Sequence, residues 1–565
     1  MANKPKEYPK KTATRAKVNK PPAVRKNLIL RYPFLWLILI PVIVYMKTIT
    51  FQLTKLDDQI FIRENEAYNQ DFKNIPVSFH RGLFNPKEDI YYRPLFLVDF
   101  ILESKLFGKN PAGYHLTNLL YHVISVVLLF IFFRKLKIPD PDAFILTAIF
   151  AVHPVLTGAV AWIPGRNDML LMIFFLSGLL LAVRYVEKPA WIILTGQFLL
   201  ALLALFIKET AMIIPVITLI ILLVFFKPGW KRMIPVMAVW IVAVLIWIVE
   251  RSTAPAAMTG QSFRDMFHAG IERIPAIIQY IGKILIPVNL SVFPIVEDTT
   301  LVWGIIATIG ILVLVILSKS FFKPLTLFGI FWFLVFLAPV LIVPKSINDQ
   351  VFEHRLYIPV IGVLLVLSQT LLFKPDFLKS KKMVIYGIII LGFGAMSFIR
   401  SDYYSDAVVF WNKAVKDSPH SATAKMILGT KVDSTIERES WFLKAYAIDP
   451  KLKNLNYYLG KVLMELKKED SAAMFFRRET KIQQLGDVYF LLAQTSFSRQ
   501  KLDSAAYYLE QVIRVEPLHP QANFNLAMLW FQLGKNEKGH RVIENMKAKG
   551  MEIPEELVKV NSHYQ

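Results

Sequence analysis

Eleven long apolar runs decide what this chain can fold into. They lie near residues 30–49, 115–133, 142–161, 169–186, 190–207, 210–226, 233–250, 301–318, 324–343, 356–373 and 383–399. About 20 apolar residues span a bilayer as a helix, the form that satisfies backbone polar groups without water. A chain that is 55% hydrophobic, with a mean hydropathy of +0.44, has no ordinary soluble core to hide these runs in. The expected class is all-α. A basic tail (1–29) precedes a polytopic membrane helical bundle of about 11 spans (30–400), with an outer loop at 50–114, and a further helical domain follows (401–565).

Charge supplies the orientation. A net +22 invites a nucleic-acid reading, but residues 1–31 alone hold ten Lys or Arg against one Glu, while 401–565 is nearly balanced. A basic tail beside an apolar span faces anionic lipid on the cytoplasmic side, so no nucleic-acid partner is expected. The tail is longer and more basic than a secretory leader, and no small-residue cleavage site follows the first run, which is therefore expected to be retained as a span. Further basic clusters at 134–137, 184–188, 227–232, 319–323 and 374–382, including Lys379, mark cytoplasmic connections. The outer connections carry chiefly Arg166, Lys208, Lys345 and Arg355, each close to an acid. Residues 271–290 are apolar enough for a twelfth span but contain Glu272, Arg273, Pro275, Lys283 and Pro287. Spanning there would invert every later basic cluster, so the stretch reads as an interfacial or re-entrant helix pair on the outer face. The C-terminal domain then shares the extracytoplasmic side, periplasm or organelle lumen, with the first loop. Cysteine is absent, which removes disulfides and thiolate metal sites.

From about residue 401 the helical period continues, but charged faces appear. Ala447-Ile-Asp-Pro450 and Arg514-Val-Glu-Pro517 stand two tetratricopeptide periods of about 34 residues apart. Tyr458-Leu459-Gly460, Leu491-Leu492-Ala493 and Leu526-Ala527 hold first-helix places, and Ala472-Ala473 and Ala505-Ala506 second-helix places. A tetratricopeptide α-solenoid is expected, whose concave face suits extended peptide.

Four polar clusters fall on the outer side: Asp57-Asp58 with Tyr92-Arg93-Pro94; His115, Asn118 and His122 on one helix face; His153 with Arg166-Asn167-Asp168; and Lys208-Glu209-Thr210 with Glu353-His354-Arg355. Singly, each has a plain explanation, as solvated loop, interhelical hydrogen bond or snorkelling cation. Together, acids beside basic clamps at one lipid boundary suit chemistry on a lipid-linked phosphate. No Walker loop, GxGxxG or zinc signature is present.

In order, these motifs resemble the transmembrane and tetratricopeptide-repeat O-mannosyltransferases, of the C-type glycosyltransferase class. The matching stretches are DDxxxIxxN (Asp57, Asp58, Ile62, Asn65), YRPL (Tyr92–Leu95), YHLTNLLYH (Tyr114–His122), AVHPVLTGAVAWIPGRNDML (Ala151–Leu170), KET (Lys208–Thr210) and EHRLYIP (Glu353–Pro359). Gly158 departs from the pattern, which carries an acid there. The resemblance implies inverting transfer of a mannose-like sugar from a polyprenyl-phosphate carrier to Ser/Thr hydroxyls of an acceptor protein or peptide, with the repeats binding the acceptor. Asp57 or Asp58 would be the base. Arg355, Arg166 and Lys208 would hold the phosphate, and His153 and Tyr92 would shape the donor pocket. Arg93, His115, Asp168, Glu209 and Glu353 would complete it. Beyond the lipid-linked donor no cofactor is implied with certainty; a divalent metal at Asp57 and Asp58 would need ligands the sequence does not complete. Two alternatives stay open: transfer to a lipid or envelope glycan, and a non-catalytic membrane-anchored repeat scaffold.

Overall fold

The computed structural model describes residues 31–85, 89–254, 262–344, 349–374 and 381–563; the basic tail, Lys345 and Lys379 lie outside them. Among the described residues every extended regular element is a helix. Seven are long and apolar enough to cross a membrane: Pro33–Thr50, Pro111–Lys135, Ile163–Glu187, Glu209–Phe226, Trp230–Thr253, Pro324–Leu341 and Lys382–Tyr404. Asp140–Ala151 and Pro154–Ala161 are apolar enough together to cross as a pair, bent by 46° where Pro154 cannot continue the hydrogen-bond ladder, as in a broken span or a re-entrant loop.

The other three runs fold as shorter helices, Trp191–Ile207, Val302–Leu317 and Pro359–Ser368, of 17, 16 and 10 residues. A ten-residue helix rises only about 15 Å, half a bilayer. Pro359–Ser368 is instead a core helix, buried from Pro359 through Val366. It meets Pro324–Leu341 so closely that a side chain at Gly362 would collide with the Gly329 carbonyl. Within 271–290, Phe263–Glu272 leads into Ile274–Leu285, of 10 and 12 residues, each too short to span. Ser262 and Asp265 cap the first of these reciprocally.

The C-terminal part is a solenoid of antiparallel helix pairs: Ala422–Gly429 with Thr435–Ile448, Leu455–Glu465 with Glu469–Glu479, Gly486–Ser498 with Leu502–Val515, and Pro520–Gln532 with Asn536–Ala548. Their first helices begin at 422, 455, 486 and 520, close to the tetratricopeptide period of about 34 residues. Ala472, Ala473, Ala505 and Ala506 sit buried on second helices, and Gly429 and Gly460 leave room for the rings of Phe442 and Phe476.

The stretch between the last span and the solenoid, with its helix Ala407–Asp417, is bonded to the membrane bundle. The Gln52 N–H donates to the Ser405 carbonyl (2.7 Å), Trp411 Nε1 to that of Thr54 (3.1 Å), and Ser418 Oγ to that of Phe293 (2.8 Å). An apolar cluster seals the junction, with Trp162, Phe293, Phe410, Trp411 and Leu428 at its centre and Leu56 and Ile427 against it.

Candidate active site

The loop after the first span is shaped by Asp58. Its Oδ2 accepts from the Thr54 N–H (2.7 Å) and hydroxyl (2.9 Å), and its Oδ1 from the N–H groups of Leu56 (3.1 Å) and Gln59 (2.9 Å). The chain turns tightly through Lys55, in the left-handed region at φ 53°. Both oxygens of Asp58 are committed and the residue is 1% exposed. Asp57, one position earlier, opens the short helical turn Asp57–Gln59 and points into a cavity of about 850 Å³. Among the described residues its carboxylate has neither a hydrogen bond nor an ion pair. Burial and the neighbouring Asp58 push the Asp57 carboxyl up to about 7, against the pull of Arg93 and Arg355.

Every separated motif except the second-span seam reaches this cavity, where Arg93, Asp168, Lys208, Glu209, His354 and Arg355 join Asp57. Their charges then largely pair off. Glu209 accepts from Arg93 Nε (3.0 Å) and from the Tyr92 N–H (2.9 Å), which pins YRPL to KET. Lys208 Nζ meets Asp168 Oδ1 at 2.6 Å. Arg355 donates to the Gln350 carbonyl (3.0 Å) and stacks on Phe352, with no carboxylate partner among the described residues. Among the described residues lining the cavity, these two pairs leave Asp57 as the carboxylate without a cationic partner and Arg355 as the guanidinium without a carboxylate partner. His354 lies beside Trp162 and Phe352; burial first, then Arg355, Lys208 and Arg93, holds it well below the usual imidazole range, hence neutral. Met266, Phe336, Pro339, Val340, Ile342 and Val343 give the cavity an apolar side.

Four residues expected in the donor pocket sit elsewhere. Arg166 is fully buried and closely held: Nε donates to Asn118 Oδ1 (2.8 Å), Nη1 to Asp99 (2.9 Å) and Glu103, and Nη2 to the Tyr114 carbonyl (2.7 Å). It ties Pro94–Phe107 and two spans together and lies outside the cavity lining, with four of its five N–H donors already committed. His153 uses both ring nitrogens at the bend, with the Ile284 carbonyl at 2.8 Å and the Val155 N–H at 3.2 Å. The Tyr92 hydroxyl donates to the Phe79 carbonyl (3.0 Å), away from the cavity. His115 is buried edge-on to Phe51.

Glu353 is also a tie rather than a wall residue. It is 3% exposed and binds Lys283 Nζ (2.8 Å), Arg400 Nη2 (2.5 Å) and the Ser291 N–H (2.9 Å), joining Ile274–Leu285, the EHR loop and the last span. Glu353→Gln would leave two buried cations short of a counter-charge, and is expected to lower stability by about 3–5 kcal/mol. Thermal unfolding in detergent checks this; an unchanged midpoint would mean the two cations find compensation elsewhere.

A divalent metal at Asp57 and Asp58, which the sequence leaves without a complete ligand set, does not fit this donor set, because a cation shared by both would have to strip Asp58 of hydrogen bonds that shape the loop. At Gly158, a β-carbon would lie 2.7 Å from the Tyr404 hydroxyl, so a tyrosine from the repeat junction occupies the space that a side chain there would need. Sequence reasoning placed His354 in an outer cluster without giving it a role, and missed Met266, Thr423 and Ile427 as wall residues. His354 was signalled by its place in EHRLYIP; the others carry no local signal.

Fold and site define a polytopic membrane protein with a charged cavity roofed by a tetratricopeptide solenoid. Its curated relatives are protein O-mannosyl-transferases, the family its motifs resemble. The Drosophila melanogaster protein O-mannosyl-transferase Tmtc1 is 37% identical over 120 residues, 21% of this chain and 14% of that protein. The Caenorhabditis elegans protein O-mannosyl-transferase F38B6.6 is 25% identical over 408 residues, 68% of this chain and 57% of that protein. The matched region thus spans less than two thirds of these relatives. No family model matches the chain. A crystal structure of MamA covers 27% of this chain and 93% of its own at 17% identity, with a TM-score of 0.24, too weak a likeness to bear on the fold.

Proposed function

We propose that this chain is an inverting membrane glycosyltransferase. It moves a mannose-like sugar from a polyprenyl-phosphate carrier to Ser/Thr hydroxyls of proteins on the extracytoplasmic face. The observation that carries the reading is the residue of charge in the cavity: among the described residues, a carboxylate without a cationic partner, Asp57, and a guanidinium without a carboxylate partner, Arg355, beside an apolar wall. Asp57 takes the proton of the acceptor hydroxyl as its oxygen attacks the anomeric carbon. The bond from that carbon to the phosphate oxygen breaks on the opposite side, and the anionic polyprenyl phosphate leaves against Arg355, with Lys208 and Arg93 nearby. The apolar wall takes the first isoprene units. The relatives' printed activity, O-mannosyl transfer to protein, supports the sugar and the acceptor.

Purified full-length protein in detergent, given a polyprenyl-phosphate mannose and a Ser/Thr peptide, is expected to yield mannosyl-peptide of inverted configuration. Absence of product across polyprenyl carriers and sugars would sink the reading. Sidedness is tested separately by a reporter, active only in the cytoplasm, fused after Gln565. It is expected to stay silent, and a strong signal would place the repeats on the wrong side for this reaction.

A further inference from the structure

The membrane bundle does not build the whole cavity wall. Thr423 and Ile427 line it too, one turn apart on Ala422–Gly429, the first helix of the solenoid. On that helix Ala422, Ala424, Lys425, Met426, Leu428 and Gly429 are all buried. Thr423 and Ile427 are its two partly exposed positions, and both give onto the cavity.

The lining divides between two apolar clusters. Phe61, Phe96, Phe336 and Val340 belong to the membrane core. Leu56, Trp162, Phe293, Phe352 and Ile427 belong to the junction cluster. A lipid-linked donor keeps its tail in hydrocarbon, so it approaches along the membrane-core side, where Phe336 and Val340 sit on a spanning helix. A polypeptide cannot take that route, because its backbone groups would go unsatisfied in lipid. It must arrive from the aqueous side, which the repeat domain covers. Leu56, adjacent to Asp57, packs in the same cluster as Ile427, so this wall adjoins the group that receives the acceptor's proton.

We propose that the first repeat helix is the acceptor-side wall of the cavity, and that Thr423 and Ile427 decide which side chain is tolerated beside the acceptor hydroxyl. The proposal rests on the glycosyl-transfer reading and adds the acceptor subsite to it. A β-branched apolar residue and a hydroxyl on one helix face give a size limit and a single hydrogen-bonding position. Such a wall selects small or apolar neighbours and has no charge with which to read charged ones.

The test uses full-length protein in detergent and peptides carrying one Thr flanked by Gly, Leu or Trp. Ile427→Trp is expected to lower kcat/KM for the bulky-flanked peptides about tenfold relative to the Gly-flanked one, while donor KM stays unchanged. Ile427→Ala is expected to shift the ranking the other way, and it keeps the test open should the larger residue prevent folding. A peptide with a benzophenone beside its Thr should cross-link within residues 422–429. Transfer with an unaltered peptide ranking in the variants, or with cross-links only elsewhere, would overturn the acceptor wall. Cross-links on this helix without transfer by the parent protein would keep the wall and remove the glycosyl-transfer reading instead.

Discussion

Asp57→Asn is expected to lower kcat for sugar transfer by about a hundredfold or more, the usual loss when a positioned base is removed. The reason is geometric before it is electrostatic: Asp57 is the cavity carboxylate with no partner, whereas Asp168 and Glu209 are held by Lys208 and Arg93. Protonation adds a second readout. The carboxyl is pushed up to about 7, so the base form appears only as pH rises through that value. The parent's kcat/KM should therefore climb with a midpoint near 7 rather than near the usual carboxylate range, and the limb should vanish in the variant. Stability should move the opposite way. A carboxyl whose folded value is raised binds more protons folded than unfolded, so it costs stability increasingly as pH rises from its unfolded value through about 7. Asn carries no such cost, and the variant should melt no lower than the parent at pH 8. Parent-like turnover in Asp57→Asn would show that the proton goes elsewhere. Asp58→Asn is a different experiment, since an amide nitrogen cannot accept the two bonds one Asp58 oxygen now takes; it should both lower stability and slow transfer.

Arg355→Ala is expected to cost about a hundredfold in kcat/KM for the donor, comparable to removing one preorganised donor from a developing anion. Arg355→Lys should restore only part of this, because a point charge does not reproduce the planar fork. Acceptor KM should hardly change, and the folded protein should persist, since among the described residues Arg355 makes one protein hydrogen bond against the five of Arg166. Steady-state kinetics with varied donor separates these outcomes. A fall in acceptor affinity with donor kinetics intact would move Arg355 to the other substrate's side.

The contrast between Arg355 and Arg166 shows where sequence reasoning stops. Both arginines stand at a predicted outer membrane boundary beside acids, and both lie in motifs matched by the resemblance. Nothing local distinguishes a cation aimed into a cavity from one consumed by Asp99, Glu103 and Asn118, because those partners come from other helices. The same holds for Asp57 and Asp58: adjacency suggests a pair, while the four donors that separate their roles come from a turn the sequence does not announce. Bundle and solenoid were legible because hydropathy and a period near 34 residues are repeated signals. Span number was less so, since a run such as 356–373 is apolar enough to cross yet folds as a ten-residue core helix.

The docking of the solenoid also sets an order in time. The bond from Trp411 to Thr54 joins positions 357 apart, and Ile427 closes a cavity whose acid stands at position 57. Contacts of such separation form last, after the intervening chain exists and has been inserted. While the ribosome is still making the last span, Glu353 waits beside Lys283 without Arg400, and the cavity lacks one wall. The cavity is therefore completed only once Thr423 and Ile427 have joined it, after every membrane helix has been made.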